Sequence, residues 1–265
     1  RRHDETRTDT FLRCTVLRHY DISIFWGFKP EIHLVFRLCR DFAGDCEVCP
    51  MLRVNEVFHS IQGESTFAGW PCVFVRLTGC NLRCTYCDTR YAYDDGDPMD
   101  ISDVLLRVKA FDCPLVEITG GEPLIQEETP RLAEALLGLG LTVLVETNGS
   151  RDLSLIDPRC TRIVDLKCPS SGQMGANDYE NLERMGDRDE LKFVLSDRKD
   201  YEFARDHVQR LKTGRFGARF PVNFSPVFGR LDPGSLVQWI LDDRLQVRLN
   251  LQLHKLIWGP DRRGV

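Results

Sequence analysis

The chain of 265 residues lacks any apolar run long enough to cross a bilayer, for which about eighteen residues are needed. No membrane span is expected. It also lacks an excess of basic residues. Its 35 Lys and Arg stand against 40 Asp and Glu, a net charge of −5, so nothing points to direct nucleic-acid binding. The apolar patches of "DISIFWGFKPEIHLVF" are broken by Asp21, Lys29, Glu31 and His33, so neither the core nor the flanks of a secretory signal are there. An even cysteine count, which a disulfide framework needs, is missing too: there are eleven. These features predict reduced thiols in a cytoplasmic protein, some of them on metal. What is there, 42% apolar residues, suffices for one sizeable core in one or two domains.

Residues 1–50 hold four of the eleven cysteines and half of the six histidines, yet show neither helical nor strand period. They are expected to form an N-terminal extension, disordered or not part of the native protein, with Met51 opening the regular pattern. Cys46 and Cys49 form a lone C-x-x-C without a second pair and are not read as a metal site. Residues 51–265 are expected to be the catalytic domain.

From Met51 onward, apolar runs alternate with amphipathic stretches. Strands are expected at 72–77, 115–119, 141–147, 162–167, 190–195, 218–227 and 247–258. Helices are expected at 101–111, 129–140, 198–211 and 232–243, with Asp100, Thr129 and Asp232 as caps and Gly140 past an end. Trp70, Trp239 and Trp258 read as core or interface packing. Cys113, Cys160 and Cys168 read as buried or free thiols. Strand followed by helix argues a parallel sheet with crossover connections. The span is short of the roughly 250 residues of a full eight-unit barrel, which leaves an α/β fold of the partial, open TIM-type β/α barrel kind. Its active site should lie at the C-terminal ends of the strands.

There lies "LTGCNLRCTYCDTR", with Cys80, Cys84 and Cys87 directly after the first expected core strand. Three thiolates in eight residues suit a compact inorganic core. A cubane cluster normally takes four, one per iron. With three, one iron stays open to a substrate or cofactor. Zinc is the competing reading, with Cys72 or a distant His as fourth ligand. Cys72 sits at the far end of its strand and is poorly placed. Two further turns follow strands: "ITGGEP" at 118–123 and "VETNG" at 145–149, where Glu146 and Asn148 could bind hydroxyls such as a ribose. Gly120 and Gly121 let backbone approach a ligand.

These three segments resemble the radical S-adenosylmethionine (SAM) enzymes. The stretch "VNEVFHSIQGESTFAGWPCVFVRLTGCNLRCTYCDTRYA", with "DLKCPSSG", "NFSPVFG" and "LQLHKLIWG", resembles the 7-carboxy-7-deazaguanine synthase family within them, across residues 51–265. That resemblance implies a lyase in queuosine and 7-deazapurine biosynthesis. It would contract 6-carboxy-5,6,7,8-tetrahydropterin to 7-carboxy-7-deazaguanine with loss of ammonia. It also implies a 4Fe–4S cluster, SAM and Mg2+ as cofactors, a flavodoxin or ferredoxin as electron donor, and a homodimer. A radical SAM activase that makes a glycyl radical on a protein partner is the alternative, and a non-enzymatic iron–sulfur or zinc module is a third.

The resemblance also carries site roles. Cys80, Cys84 and Cys87 would bind the cluster and Thr89 the magnesium. For SAM it implies Tyr86, Asp88, Gly121, Glu122, Glu146, Asp165, Leu166, Lys167, Ser225 and Pro226. For the pterin it implies Ile61, Gln62, Gly63, Arg76, Thr119, His254, Lys255 and Pro260, with Arg76 pairing to the substrate carboxylate. No side chain is expected to act as catalyst, because the radical comes from SAM.

Overall fold

Near-continuous runs of Val, Ile and Leu build the sheet, because a parallel strand is covered on both faces. A computed structural model describes residues 51–213 and 220–265. The expectations for residues 1–50 and for the Cys46–Cys49 pair lie outside the described residues. Strands β2 (Pro71–Leu77), β4 (Leu115–Gly120), β5 (Thr142–Thr147), β6 (Thr161–Asp165), β7 (Glu190–Leu195) and β8 (Val222–Pro226) lie side by side in parallel, and the two-residue β9 (Arg248–Leu249) extends them. On the other side β1 (Leu52–Ile61) runs antiparallel to β2, and β3 (Asp97–Met99) antiparallel to β1. The order of the nine-stranded sheet is β3-β1-β2-β4-β5-β6-β7-β8-β9, and its two edges do not meet. The barrel is therefore open, as expected.

The helices are α1 (Ile101–Lys109), α2 (Thr129–Gly138), α3 (Asn181–Arg184), α4 (Arg198–Thr213), α5 (Pro233–Asp242) and α6 (Leu253–Trp258). They cover the outer face of the sheet in two apolar groups. One centres on Val73, Ile118, Leu132 and Leu136. The other gathers Phe193, Tyr201, Phe224 and Leu236. Asp100 and Asp232 cap α1 and α5 through Asp103 N and Ser235 N. Thr129 does not cap α2: it is the first helical residue, and its hydroxyl donates to Pro123 O at 2.6 Å. Cys113, Cys160 and Cys168 are buried free thiols. Trp239 packs against Tyr201, but Trp70 is 66% exposed and is not a core residue.

The main differences from expectation are segment 247–258 and strand β1, and the short β3 and α3 have no expected counterpart either. The alternation of Leu249, Leu251 and Leu253 reads as one long strand over 247–258, yet only Arg248–Leu249 pairs. Asn250 bonds Phe224 O and Ser225 Oγ, and Leu253 N donates to Gly63 O, so the chain leaves the sheet edge and turns into α6. Strand β1 has no counterpart among the expected elements. Its pattern is interrupted by a register shift between Val54 and Glu56 and by polar residues facing inward.

Candidate active site

At the C-terminal ends of the parallel strands, the loops close around a cavity of about 470 Å³. Loop 80–87 leaves β2, and Cys80, Cys84 and Cys87 are half-buried free thiols in the cavity wall. The glycine turn after β4 has a packing reason as well as a ligand reason. Gly120 has φ +145°, and a Cβ at Gly121 would come within 1.9 Å of Gly79 O and 2.8 Å of Cys80 Cβ. Glu122 N then donates to Gly79 O at 2.8 Å, which ties the end of β4 to the cysteine loop. Burial pushes the Cys80 and Cys84 thiols up, opposed at Cys80 by the Leu82 N–H and at Cys84 by the Lys167 ammonium. Burial and the nearby Cys87 thiol push the Tyr93 hydroxyl up.

Of the residues assigned to SAM, Tyr86, Asp88, Gly121, Glu146, Asp165 and Lys167 line this cavity. Glu122, Leu166, Ser225 and Pro226 are not in its wall. Glu122 is fully buried and committed to protein: its Oε1 accepts from Leu124 N and Thr147 Oγ1, its Oε2 from Asn148 N. It locks the β4 turn to the end of β5. Leu166 is core, Ser225 accepts from Asn250, and the segment after β8 reaches the cavity through Val227 instead. Asp165 and Lys167 pair at 2.6 Å, while Asp165 Oδ1 is buried with no hydrogen-bond partner among the described residues. Burial would discharge Lys167, but Asp165 beside it, together with Cys84 and Tyr86, outweighs this and raises its pKa. The Tyr86 hydroxyl reaches Val194 O at 3.4 Å.

The residues assigned to the pterin, Ile61, Gln62, Gly63, Arg76, Thr119, His254, Lys255 and Pro260, all border the same cavity, as does Thr89. Arg76 Nε binds Glu56 Oε1 at 2.7 Å, and its guanidinium lies over the rings of Phe58 and Tyr91. Lys255 pairs with Asp88, and the Thr89 hydroxyl donates to Asp88 Oδ1 at 2.9 Å. Gly63 leaves room for His254, whose Nδ1 would stand 2.3 Å from a Cβ there.

Several cavity residues are absent from the sequence reading. Glu117 accepts from Gln62 Nε2, and Lys192 pairs with Glu64 and, at 2.7 Å, with Glu146. Burial and the nearby Glu146 carboxylate raise the Glu117 pKa; burial would raise that of Glu146 too, but the Lys192 ammonium wins and lowers it. A charged residue inside an otherwise apolar strand, as in "LVEIT" and "ELKFVL", was the available signal. Residues 261–265 also border the cavity, and Arg263 lies 4.1 Å over the Tyr91 ring.

Known proteins match this architecture. Residues 74–168 match the Radical SAM superfamily. The 7-carboxy-7-deazaguanine synthase of Chlorobaculum tepidum is 48% identical over 217 residues, 81% of this chain and 97% of the relative. That of Koribacter versatilis is 44% identical over 228 residues, 81% of this chain and 100% of the relative. The crystal structure of QueE from Escherichia coli shares the fold, with a TM-score of 0.63 and 23% identity over 77% of this chain and 95% of that one. Fold and cysteine loop together define a radical SAM enzyme. Within that class, the chain belongs to the 7-carboxy-7-deazaguanine synthase family. Its cofactors are accordingly a 4Fe–4S cluster, SAM and Mg2+.

The residues present fit those groups. Cys72, the thiol a four-ligand zinc site would need, is fully buried at the opposite end of β2 and bonds Val73 O. Among the described residues no three His, Cys, Asp or Glu side chains converge as the shell of one ion. Three free thiols around a cavity suit a polynuclear cluster with one open corner. The unpartnered Asp165 Oδ1 in the same wall suits a ligand donor.

Proposed function

We propose that this chain contracts 6-carboxy-5,6,7,8-tetrahydropterin to 7-carboxy-7-deazaguanine, releasing ammonia, with residues 51–265 as the catalytic domain. The observation that carries the reading is that the three-cysteine loop and the Arg76–Gln62 wall share one cavity. Held by Cys80, Cys84 and Cys87 and by the cavity wall, cluster and SAM would supply radical chemistry at C6 of the pterin. The protein's part is to bind, orient and shield. Glu56 holds Arg76 through Nε only, so the Nη pair has no described partner and is free to fork onto the substrate carboxylate. Gln62 is held at both ends, its Oε1 accepting from Glu64 N at 2.8 Å and its Nε2 donating to Glu117, which presents a fixed amide and the adjoining backbone to the pterin. Thr89, one hydroxyl beside a substrate carboxylate and water, suits Mg2+, which keeps part of its hydration. The unpartnered Asp165 Oδ1 would accept from a donor group of SAM, with Lys167 beside it balancing the carboxylate charge.

The chemistry also calls for a one-electron donor, for which a flavodoxin or ferredoxin is the proposed partner. A cytoplasmic homodimer completes the reading; exposed Leu256, Ile257 and Trp258 on α6 supply apolar surface for it. No helix among the described residues is long and apolar enough to cross a membrane. The decisive experiment is anaerobic reconstitution with iron and sulfide, followed by SAM, dithionite, magnesium and the carboxylated tetrahydropterin. The deazaguanine acid should appear by mass and depend on each addition. Cleavage of SAM with no deazaguanine product would reject the substrate while keeping the class.

A further inference from the structure

Asn148 was read from sequence as a hydroxyl ligand, but its amide is turned to the cysteine loop. Its Oδ1 accepts two hydrogen bonds from one residue, Ser150 N at 3.0 Å and Ser150 Oγ at 2.6 Å. An amide whose oxygen is so engaged presents its NH2 the other way. Asn148 Nδ2 accordingly reaches Asn81 Oδ1 at 3.1 Å and Cys80 Sγ at 3.8 Å. Asn81 closes the ring, its Nδ2 donating to Ser150 Oγ at 2.8 Å. Asn148 is 6% exposed, and its own backbone N–H is anchored on the buried Glu122 at 2.6 Å. The Leu82 N–H adds a second donor to Cys80 Sγ, at 3.4 Å. Among the described residues no side chain or backbone donor bonds Cys84 Sγ.

We infer that Asn148, Asn81 and Ser150 form a clasp that orients the first cluster ligand and tunes the cluster's reduction potential. The inference rests on the three-cysteine cluster reading. Donors to a thiolate sulfur stabilise the more negative, reduced state of a cluster, so they raise its potential. Asn148 is thus a positioning residue that acts through Cys80. Partly relieving the low potential of an open cluster eases electron delivery, and the same bonds keep the loop from swinging Cys80 away when the corner iron exchanges ligands.

The test uses the full chain, reconstituted anaerobically, without SAM or substrate. Iron per chain, cluster absorbance and the midpoint potential by redox titration are measured for the parent, Asn148→Ala and Ser150→Ala. Ser150→Ala leaves the donor in place and the Ser150 N–H on Asn148 Oδ1, but removes the hydroxyl that holds Asn148 and Asn81 together, so the amide is less firmly oriented. Expected is a retained cluster whose reduction equilibrium falls about tenfold in Asn148→Ala, roughly 59 mV for one electron, and less in Ser150→Ala. An exchangeable deuteron coupled to the reduced cluster should disappear in Asn148→Ala. Potentials equal to the parent in both variants, with full iron, overturn the clasp. If Asn148→Ala cannot hold a cluster, Ser150→Ala decides by the same measurement, an unmoved potential overturning the proposal. A parent chain that takes up no 4Fe–4S cluster overturns instead the reading beneath it.

Discussion

At the scale of single residues, the site depends on groups that have lost the option of water. Among the described residues Cys84 Sγ has no hydrogen-bond donor, and the cysteine loop gives it one obvious use. Cys84→Ala should abolish both turnover and the visible cluster absorbance, while circular dichroism stays as in the parent; an intact absorbance would remove it from the ligand set. Arg76 is held by Glu56 and two rings before substrate arrives. Arg76→Ala should raise KM for the pterin by about ten- to a hundredfold, the size of one charged hydrogen bond, with the cluster spectrum unchanged. Loss of the cluster with unchanged pterin affinity would reassign the residue. Glu117 offers a test by pH. Burial and Glu146 raise its pKa from the ordinary 4.5, so the folded state holds a proton that the unfolded state has released. Stability from this group is present below 4.5 and is lost as pH rises toward the folded pKa. Glu117→Gln should therefore gain on the parent as pH rises from 4.5, read as the difference in urea midpoints; a pH-independent difference would mean an ionised Glu117. The cysteines, the glycine turn and Arg76 were legible because each breaks a local rule in plain view. Glu117 and Lys192 leave a weaker signal, one charge in an ordinary strand, whose use shows only once their partners are known: Gln62 and Glu64 just after β1, and Glu146 on β5.

At the scale of elements, local chemistry and tertiary pull compete. Helix α1 starts where the sequence says, because Asp100 Oδ1 accepts from Asp103 N at 2.8 Å and from Ser102 Oγ at 2.6 Å. Asp100→Ala should destabilise by about 1 kcal/mol, measured by denaturant unfolding, with turnover unaffected. A much larger loss would show that Asp100 does more than cap. Helix α2 begins with Thr129, not after it, because Thr129 is drawn inward to Pro123 O. Segment 247–258 has a strand's alternation, yet Asn250 and the Leu253–Gly63 bond lift it from the sheet and bring His254 and Lys255 to the cavity. Strand β1 escaped notice for the opposite reason: its inward positions are Glu56 and Phe58, chosen for Arg76 and for a ring against Phe74, not for apolar period.

At the scale of the whole molecule, an open sheet gathers six strand ends around one cavity and leaves its edges apart. Groups from both halves of the sheet border that cavity, Arg76 and Thr119 from one, Asp165 and Lys192 from the other. Folded protein alone offers that site, so ligand should stabilise it by mass action. SAM at a hundred times its Kd should raise the unfolding free energy of the cluster-loaded chain by about 2.7 kcal/mol, seen as a rise in midpoint. No rise would mean that the cavity does not take SAM. The open barrel, the strand-end cavity and the three-cysteine loop in its wall were legible in the sequence alone, because apolar period and cysteine spacing act over a few residues. The tertiary structure alone decided that Glu122 serves protein, that Asn148 faces Cys80, and that Glu64, Glu146 and Lys192 meet. Those outcomes depend on which strand ends lie side by side, and pairing across distant strands leaves no trace in local spacing.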